Sequence, residues 1–79
     1  MKIKILGSGC SNCKKLDKLV HIALIDMNIN ADIEKVEDYS EMVKYGILST
    51  PALVINEKIV ISGKVPSVGE IVEFITKNN

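Results

Sequence analysis

Gly9-Cys10-Ser11-Asn12-Cys13 is the stretch that decides how this chain reads. Upstream, Lys2–Leu6 has Ile3, Ile5 and Leu6 as its apolar residues and predicts a short strand. Gly7, Ser8 and Gly9 form a loop. Downstream, a helix is predicted from near Ser11 to about Met27. Leu16, Leu19, Val20, Ala23, Leu24 and Met27 recur at helical steps and make one apolar stripe. The cysteine pair therefore stands where a strand gives way to a helix. Cys10 lies at the helix start, where unpaired backbone N–H groups and the positive end of the helix dipole favour an anion. Lys14 and Lys15 add positive charge in the same turn. Cys10 should thus be more acidic than a free thiol, which titrates near ~8.5. Cys13 lies one turn later, within reach. A thiolate beside a partner thiol is the equipment of thiol–disulfide exchange.

Composition narrows the field. The 79 residues suit one small domain spanning 1–79. A domain near this size buries only roughly 60% of its unfolded surface, so stability should be modest. Hydrophobic residues make up 47% of the chain, enough for a packed core. Ten basic and ten acidic residues cancel, which speaks against an electrostatic grip on nucleic acid or an anionic membrane. Tyr39, Tyr45 and Phe74 are too few for a base-stacking surface. A bridge between Cys10 and Cys13 closes almost no loop and adds little through chain entropy. The pair is expected to serve reactivity or metal instead. No signal peptide or membrane span is visible. The expectation is a cytoplasmic protein whose thiols are normally reduced.

Residues 31–36 predict a second strand, although Lys35 and Val36 break its alternation. Asp38 and Glu41 fit the cap and third position of a short helix to about Tyr45, with Gly46 just beyond its end. Residues 52–55 and 59–62 are rich in β-branched residues, with Asn56, Glu57 and Lys58 as the hairpin turn between them. Ser67 and Glu70 form a capping box for a last helix, whose stripe is Val68, Ile71, Val72 and Ile75. The order is β-α-β-α-β-β-α. A helix between the first two strands makes them parallel, and the short turn makes the last two antiparallel. The fold class is α/β: one mixed four-stranded sheet with helices on both faces. The apolar run at 52–55 places that strand centrally.

These features together resemble the thioredoxin superfamily over nearly the whole chain. The resemblance rests on Cys10-Ser11-Asn12-Cys13 opening the first helix and Ser49-Thr50-Pro51-Ala52 leading into the third strand. Gly63-Lys64-Val65-Pro66-Ser67 before the last helix completes it. The chain looks most like the very small, glutaredoxin-sized redox-active disulfide proteins of archaea and anaerobic bacteria. The resemblance implies that Cys10 is the attacking thiolate and Cys13 the resolving thiol. It implies that Pro51 is cis and packed against the sulfurs. Thr50 would lend its backbone to an extended segment of the partner, like an added strand. The Gly63 loop would lie beside Pro51 and touch partners. The expected activity is reduction of protein disulfides, by a monomer without a cofactor.

The sequence also departs from its larger relatives. Gly9 replaces the Trp that precedes the motif, and Ser11-Asn12 replaces Gly-Pro within it. No acidic residue occurs before Asp17, so water or a backbone group would have to carry the proton of Cys13. The glutathione-binding Gly-Gly-x-Asp of glutaredoxins is represented only by Ser62-Gly63-Lys64-Val65. A protein reductase, such as a flavin-dependent thioredoxin reductase, is the expected donor. Pairs in such folds span roughly −270 to −120 mV, and the small polar residues here point to the reducing end.

The alternative for the same Cys10 and Cys13 is a soft-metal carrier for Cu(I) or zinc, or a redox-responsive binding module. Copper-carrying domains of this size end on a strand, however, and lack a Thr-Pro element. The only histidine, His21, falls with Lys14, Asp17 and Lys18 on the polar helix face and reads as solvated. Lys2 and Lys4 read as strand-end charges, although Lys4 lies near the sheet centre. Tyr39 and Tyr45 read as packing residues, and Met27 and Met42 as core filler.

Overall fold

The computed structural model describes residues 1–7, 9–46 and 49–78. Ser8, in the middle of the expected first loop, lies outside the described residues. The elements run β1 (Lys2–Leu6), α1 (Ser11–Asp26), β2 (Asp32–Val36), α2 (Tyr39–Lys44), β3 (Ala52–Ile55), β4 (Lys58–Ser62) and α3 (Val68–Lys77). The order is the one the sequence predicts. The sheet is arranged β2-β1-β3-β4. β1 pairs with β2 in parallel and with β3 antiparallel, and β3 pairs antiparallel with β4. β3 is central and buried along its length.

Alternation along β1 divides the core between the two faces of the sheet. Ile3 and Ile5, with Leu53, Ile55 and Ile61, pack against Leu16, Val20, Ala23 and Leu24 of α1 and Ile71 and Ile75 of α3. Leu6, Val36, Ala52 and Val54 pack with Met42 of α2 on the opposite face. The same alternation explains the irregular reading of β2. Ile33 and Lys35 stand beside Ile3 and Ile5 on the α1 face, while Glu34 and Val36 stand beside Lys4 and Leu6.

The helix ends follow their caps. α1 stops in a Schellman arrangement: Asn28 N–H donates to the Ile25 carbonyl (3.1 Å) and Ile29 N–H to that of Leu24 (3.0 Å). Asn28 takes the left-handed conformation this requires, at φ 55°. Asp38 caps α2 by accepting from Ser40 N–H rather than through a reciprocal bond with Glu41, whose carboxylate instead meets Lys44 at 2.9 Å. Ser67 and Glu70 form the expected capping box of α3. Asp38 is held below the usual carboxylate range, first by the Ser40 hydroxyl and then by the Ser40 N–H.

Three readings are corrected. Lys4 is not a strand-end charge; it lies in the middle of β1, near the sheet centre as expected. Its Nζ donates to Tyr45 Oη (2.6 Å), sits 3.7 Å from Glu57 and lies 5.2 Å from the centre of the Tyr45 ring. Alternation puts Lys4 on the small-core face, and α2 delivers a phenol to receive it. Tyr39 does not pack; it is 75% exposed. The hairpin turn is two residues, not three, because Lys58 already pairs with Ile55. Asn56 and Glu57 both take positive φ (49° and 71°), as a type I′ turn requires, and the turn matches the twist of its strands. Asp17, on the polar face of α1 as expected, is partly enclosed: Lys35 Nζ lies 2.9 Å from its Oδ2. Finally, Leu53 faces Ile61 while Val54 faces Ile59, so Val60 is the extra residue of a β-bulge.

Candidate active site

The N-terminus of α1 places the two sulfurs. Cys10 is the N-cap residue, with extended backbone (φ −67°, ψ 163°). Its Sγ accepts the Cys13 N–H at 3.1 Å, and its carbonyl accepts from Lys14 N–H at 3.0 Å. A sulfur thus fills the place a capping Ser or Asp oxygen usually takes, facing backbone donors at the positive end of the helix. The first turn carries no acidic residue to offset that field. Cys13, three residues on, is joined to Cys10 in a disulfide, with the Cα atoms 5.0 Å apart. That spacing falls within the range a bridge spans. The two differ sharply in access: Cys10 is exposed, while Cys13 is 6% exposed and belongs to the buried core.

Gly7 makes that burial possible. A Cβ on Gly7 would overlap Cys13 Sγ, lie 3.1 Å from Cys13 Cβ, and come within 3.9 Å of Thr50 Cβ. Three segments therefore meet at Gly7: the end of β1, the first turn of α1 and the residue before Pro51. Gly7 N–H donates to the Val36 carbonyl at 3.0 Å, which ties this point to β2. The sequence flags Gly7 only as a loop residue. Its need to be glycine is set by a sulfur six residues away in the chain.

The Thr50–Pro51 peptide bond is cis. Pro51 is buried, while Ser49 and Thr50 are exposed. Gly63 N–H donates to the Pro51 carbonyl at 2.9 Å, and Ser62 Oγ lies 3.4 Å from the Ser49 carbonyl. Gly63 takes φ +80°, and a Cβ there would come 3.0 Å from Ser49 Cβ. The Gly63 loop is thus fastened beside Pro51, as expected. Pro51 and Gly63 form one rim, and Thr50 carries it to the sulfurs. Among the described residues, no group of three or more His, Cys, Asp or Glu side chains gathers to hold a metal ion.

A family model described as a thioredoxin domain matches residues 1–76. The chain belongs to the thioredoxin family. A thioredoxin from Methanothermobacter thermautotrophicus is 33% identical over 76 residues, covering 96% of this chain and 99% of that protein. One from Methanocaldococcus jannaschii is 38% identical over 71 residues, covering 90% of this chain and 81% of its own. The solved structure of thioredoxin 1 from Thermosipho africanus superposes with a TM-score of 0.66. It does so at 21% identity, over 98% of this chain and 92% of that one, so the likeness speaks to the fold. With the family and the Cys10–Cys13 pair together, the chain is a thiol–disulfide oxidoreductase of the disulfide-reductase type. The metal-carrier reading is not favoured. Its partners are disulfide substrates on one side and a reductase on the other. No helix among the described residues is long and apolar enough to cross a membrane.

Proposed function

We propose that Cys10 attacks and Cys13 resolves. The observation that carries this division is the difference in access: Cys10 is exposed at the cap of α1, whereas Cys13 is 6% exposed and packed against Gly7. Only an accessible thiolate can reach a sulfur in another protein. In the reduced protein, the backbone donors that Cys10 faces at the helix start hold it as the thiolate. It attacks the partner's disulfide and forms a mixed disulfide. Cys13 then attacks Cys10 Sγ, releases the reduced partner and leaves the Cys10–Cys13 bridge.

Thr50, Pro51 and Gly63 receive the partner. Thr50 is exposed beside the sulfurs, and its backbone can pair with an extended segment of the substrate. Pro51 offers no N–H to compete for the thiolate. The Gly63 loop lies beside Pro51 on the same rim. Such recognition through main-chain atoms accepts many sequences, which suits a general reductase. The working form in this reading is a cytoplasmic monomer, one domain over residues 1–79. A flavin-dependent thioredoxin reductase recharges it, and its potential lies toward the reducing end of the family.

The test is trapping. Cys13→Ser should accumulate covalent complexes through Cys10 that dithiothreitol releases, and Cys10→Ser should accumulate none. Equal trapping through either sulfur would end the assignment.

A further inference from the structure

The two sides of the sulfurs are furnished differently. In the sheet order β2-β1-β3-β4, β1 leads up to Gly7 and the sulfurs, and Thr50, Pro51 and the Gly63 loop stand on the β3–β4 side. That rim offers small and polar groups. On the β2 side the chain runs from Val36, whose carbonyl is bonded to Gly7 N–H, through Glu37 and Asp38 into α2. Glu37 borders the hollow that Gly9 and Cys13 also line. Tyr39 follows two residues later, and two residues of chain span at most about 7 Å. Tyr39 therefore stands at the sulfur end of the molecule.

Tyr39 is 75% exposed, and Val43, one turn on, is 55% exposed. Residues four apart share one side of a helix, and Met42 takes the side that packs into the core. Tyr45, by contrast, is fastened to Lys4 and Glu57. The other large exposed apolar residues among those described stand elsewhere. Ile22 and Ile25 lie roughly 18 and 22 Å along α1 from Cys10, at about 1.5 Å per residue. Ile59 stands close to the Asn56–Glu57 turn, at the opposite end of the sheet. Charge sets Tyr39 apart as well. Glu37 and Asp38 precede it, both exposed, and neither forms an ion pair among the described residues. Lys35 and Lys44, the nearest cations along the chain, are taken by Asp17 and Glu41.

A protein that brings a disulfide to Cys10 covers more than the sulfur. Even a small transient contact buries roughly 600 Å² on each side, a disc of about 14 Å radius. The Val36 carbonyl lies 3.0 Å from Gly7 N, and three residues of chain reach at most about 11 Å beyond it. Tyr39 is thus no more than one such radius from Gly7. We propose that Tyr39, backed by Val43 and flanked by Glu37 and Asp38, is a second contact for disulfide-bearing polypeptides, and that it takes an apolar residue with an arginine or lysine beside it. This rests on the reading of Cys10 as the attacking thiolate. The arginine stacks on the face of the phenol and meets the unpaired carboxylates. The ends of β3 and β2 are two strand spacings apart, about 10 Å, so roughly three to five residues separate the attacked cysteine from this contact. Main-chain pairing at Thr50 admits many sequences, and Tyr39 ranks them.

Two synthetic peptides test the ranking. They share one disulfide loop and a five-residue tail, which ends in Leu-Arg-Arg in one and Ser-Glu-Glu in the other. Each is mixed with the reduced protein, and the oxidised fraction is read by acid quench, alkylation and mass. Every rate is divided by that for bis(2-hydroxyethyl) disulfide, a neutral probe too small to span from Cys10 to Tyr39. The parent should prefer the Leu-Arg-Arg peptide by at least about fivefold at low salt, and the preference should shrink near 0.5 M salt as the charges are screened. Tyr39→Ser should lower the relative rate for that peptide at least about threefold, within the range of an exposed cation–aromatic contact. Glu37→Lys should lower it too, and carries the test by the same criterion if Tyr39→Ser does not fold. Ile25→Ser, at the far end of α1, should leave it unmoved. No preference in the parent, no change in Tyr39→Ser, or an equal change in Ile25→Ser would overturn the proposal. A parent that sediments as a dimer and a Tyr39→Ser variant that does not would give this face to a second copy and also overturn it. Cys10→Ser should not react with the neutral probe. If it does, the assignment of Cys10 fails rather than that of Tyr39.

Discussion

The two faces of the sheet are built differently. The core under α1 and α3 is apolar from Ile3 and Ile5 across Leu53, Ile55 and Ile61 to the helix residues Leu16, Val20, Ile71 and Ile75, with the Lys35–Asp17 ion pair only at its β2 edge. The face under α2 is smaller, and Tyr45, half-buried, closes its edge. There the middle of β1 is a lysine, received by a phenol and a carboxylate. The first face anchors a 16-residue helix that carries the sulfurs; the second anchors a six-residue helix that carries none of them. The difference teaches that placement of the redox pair depends on one core, while the other core is completed by polar contacts that cost little to rearrange.

Mutations can break or sharpen that contrast. The largest effect is expected for Leu16→Ala, which leaves a void under α1. It should cost about 3–5 kcal/mol in urea unfolding, whereas Met42→Ala on the smaller face should fall near the lower end, about 2 kcal/mol. Equal costs would mean the two cores carry equal weight. Gly7→Ala comes next. It drives a methyl into Cys13 Sγ, so it should destabilise the oxidised protein by about 1–3 kcal/mol and depress insulin reduction. Full activity in this variant would show that the sulfur can be seated elsewhere. Tyr45→Phe removes the acceptor of Lys4 Nζ and should lower the urea midpoint by less than Gly7→Ala does. A neutral result would make the polar closure of the second face ornamental.

The smallest effect is a pH dependence at the α2 cap. Asp38 is held below its ordinary value by the Ser40 hydroxyl and N–H. A carboxyl with a depressed folded-state value contributes stability that is present above its unfolded value, near ~3.9, and lost as pH falls through the folded one. Asp38→Asn keeps a capping side chain without the charge. Its urea midpoint should sit slightly below the parent's at pH 6, and the gap should close as pH falls below about 4.

Much of this was legible in the residues. The caps at Asp38 and Ser67, the stripe of α1, the parallel and antiparallel connections and the cysteine pair at a helix start are all local signals. Periodicity and capping chemistry record them directly. What the sequence hides is contact between distant segments. Lys4 reads as a charge at a strand end because nothing near it in the chain announces Tyr45. Asp17 reads only as a residue of the polar helix face, because helical spacing gives that face but not the lysine arriving from β2. Gly7 looks like any turn glycine until Cys13 is packed against it. The bulge at Val60 leaves no mark in a run of β-branched residues that would pair equally well without it.

That bulge has an effect beyond the hairpin. β4 is an outer strand of the sheet, and among the described residues no strand pairs with its outer row of backbone donors and acceptors. An unbroken row is a template on which another chain can stack, and from there fibrils can grow. Val60 throws the row out of step within a five-residue strand, and Lys58 charges its near end. A strand approaching this edge meets fewer aligned groups than an unbroken strand would offer, which makes β4 a poor template for stacking.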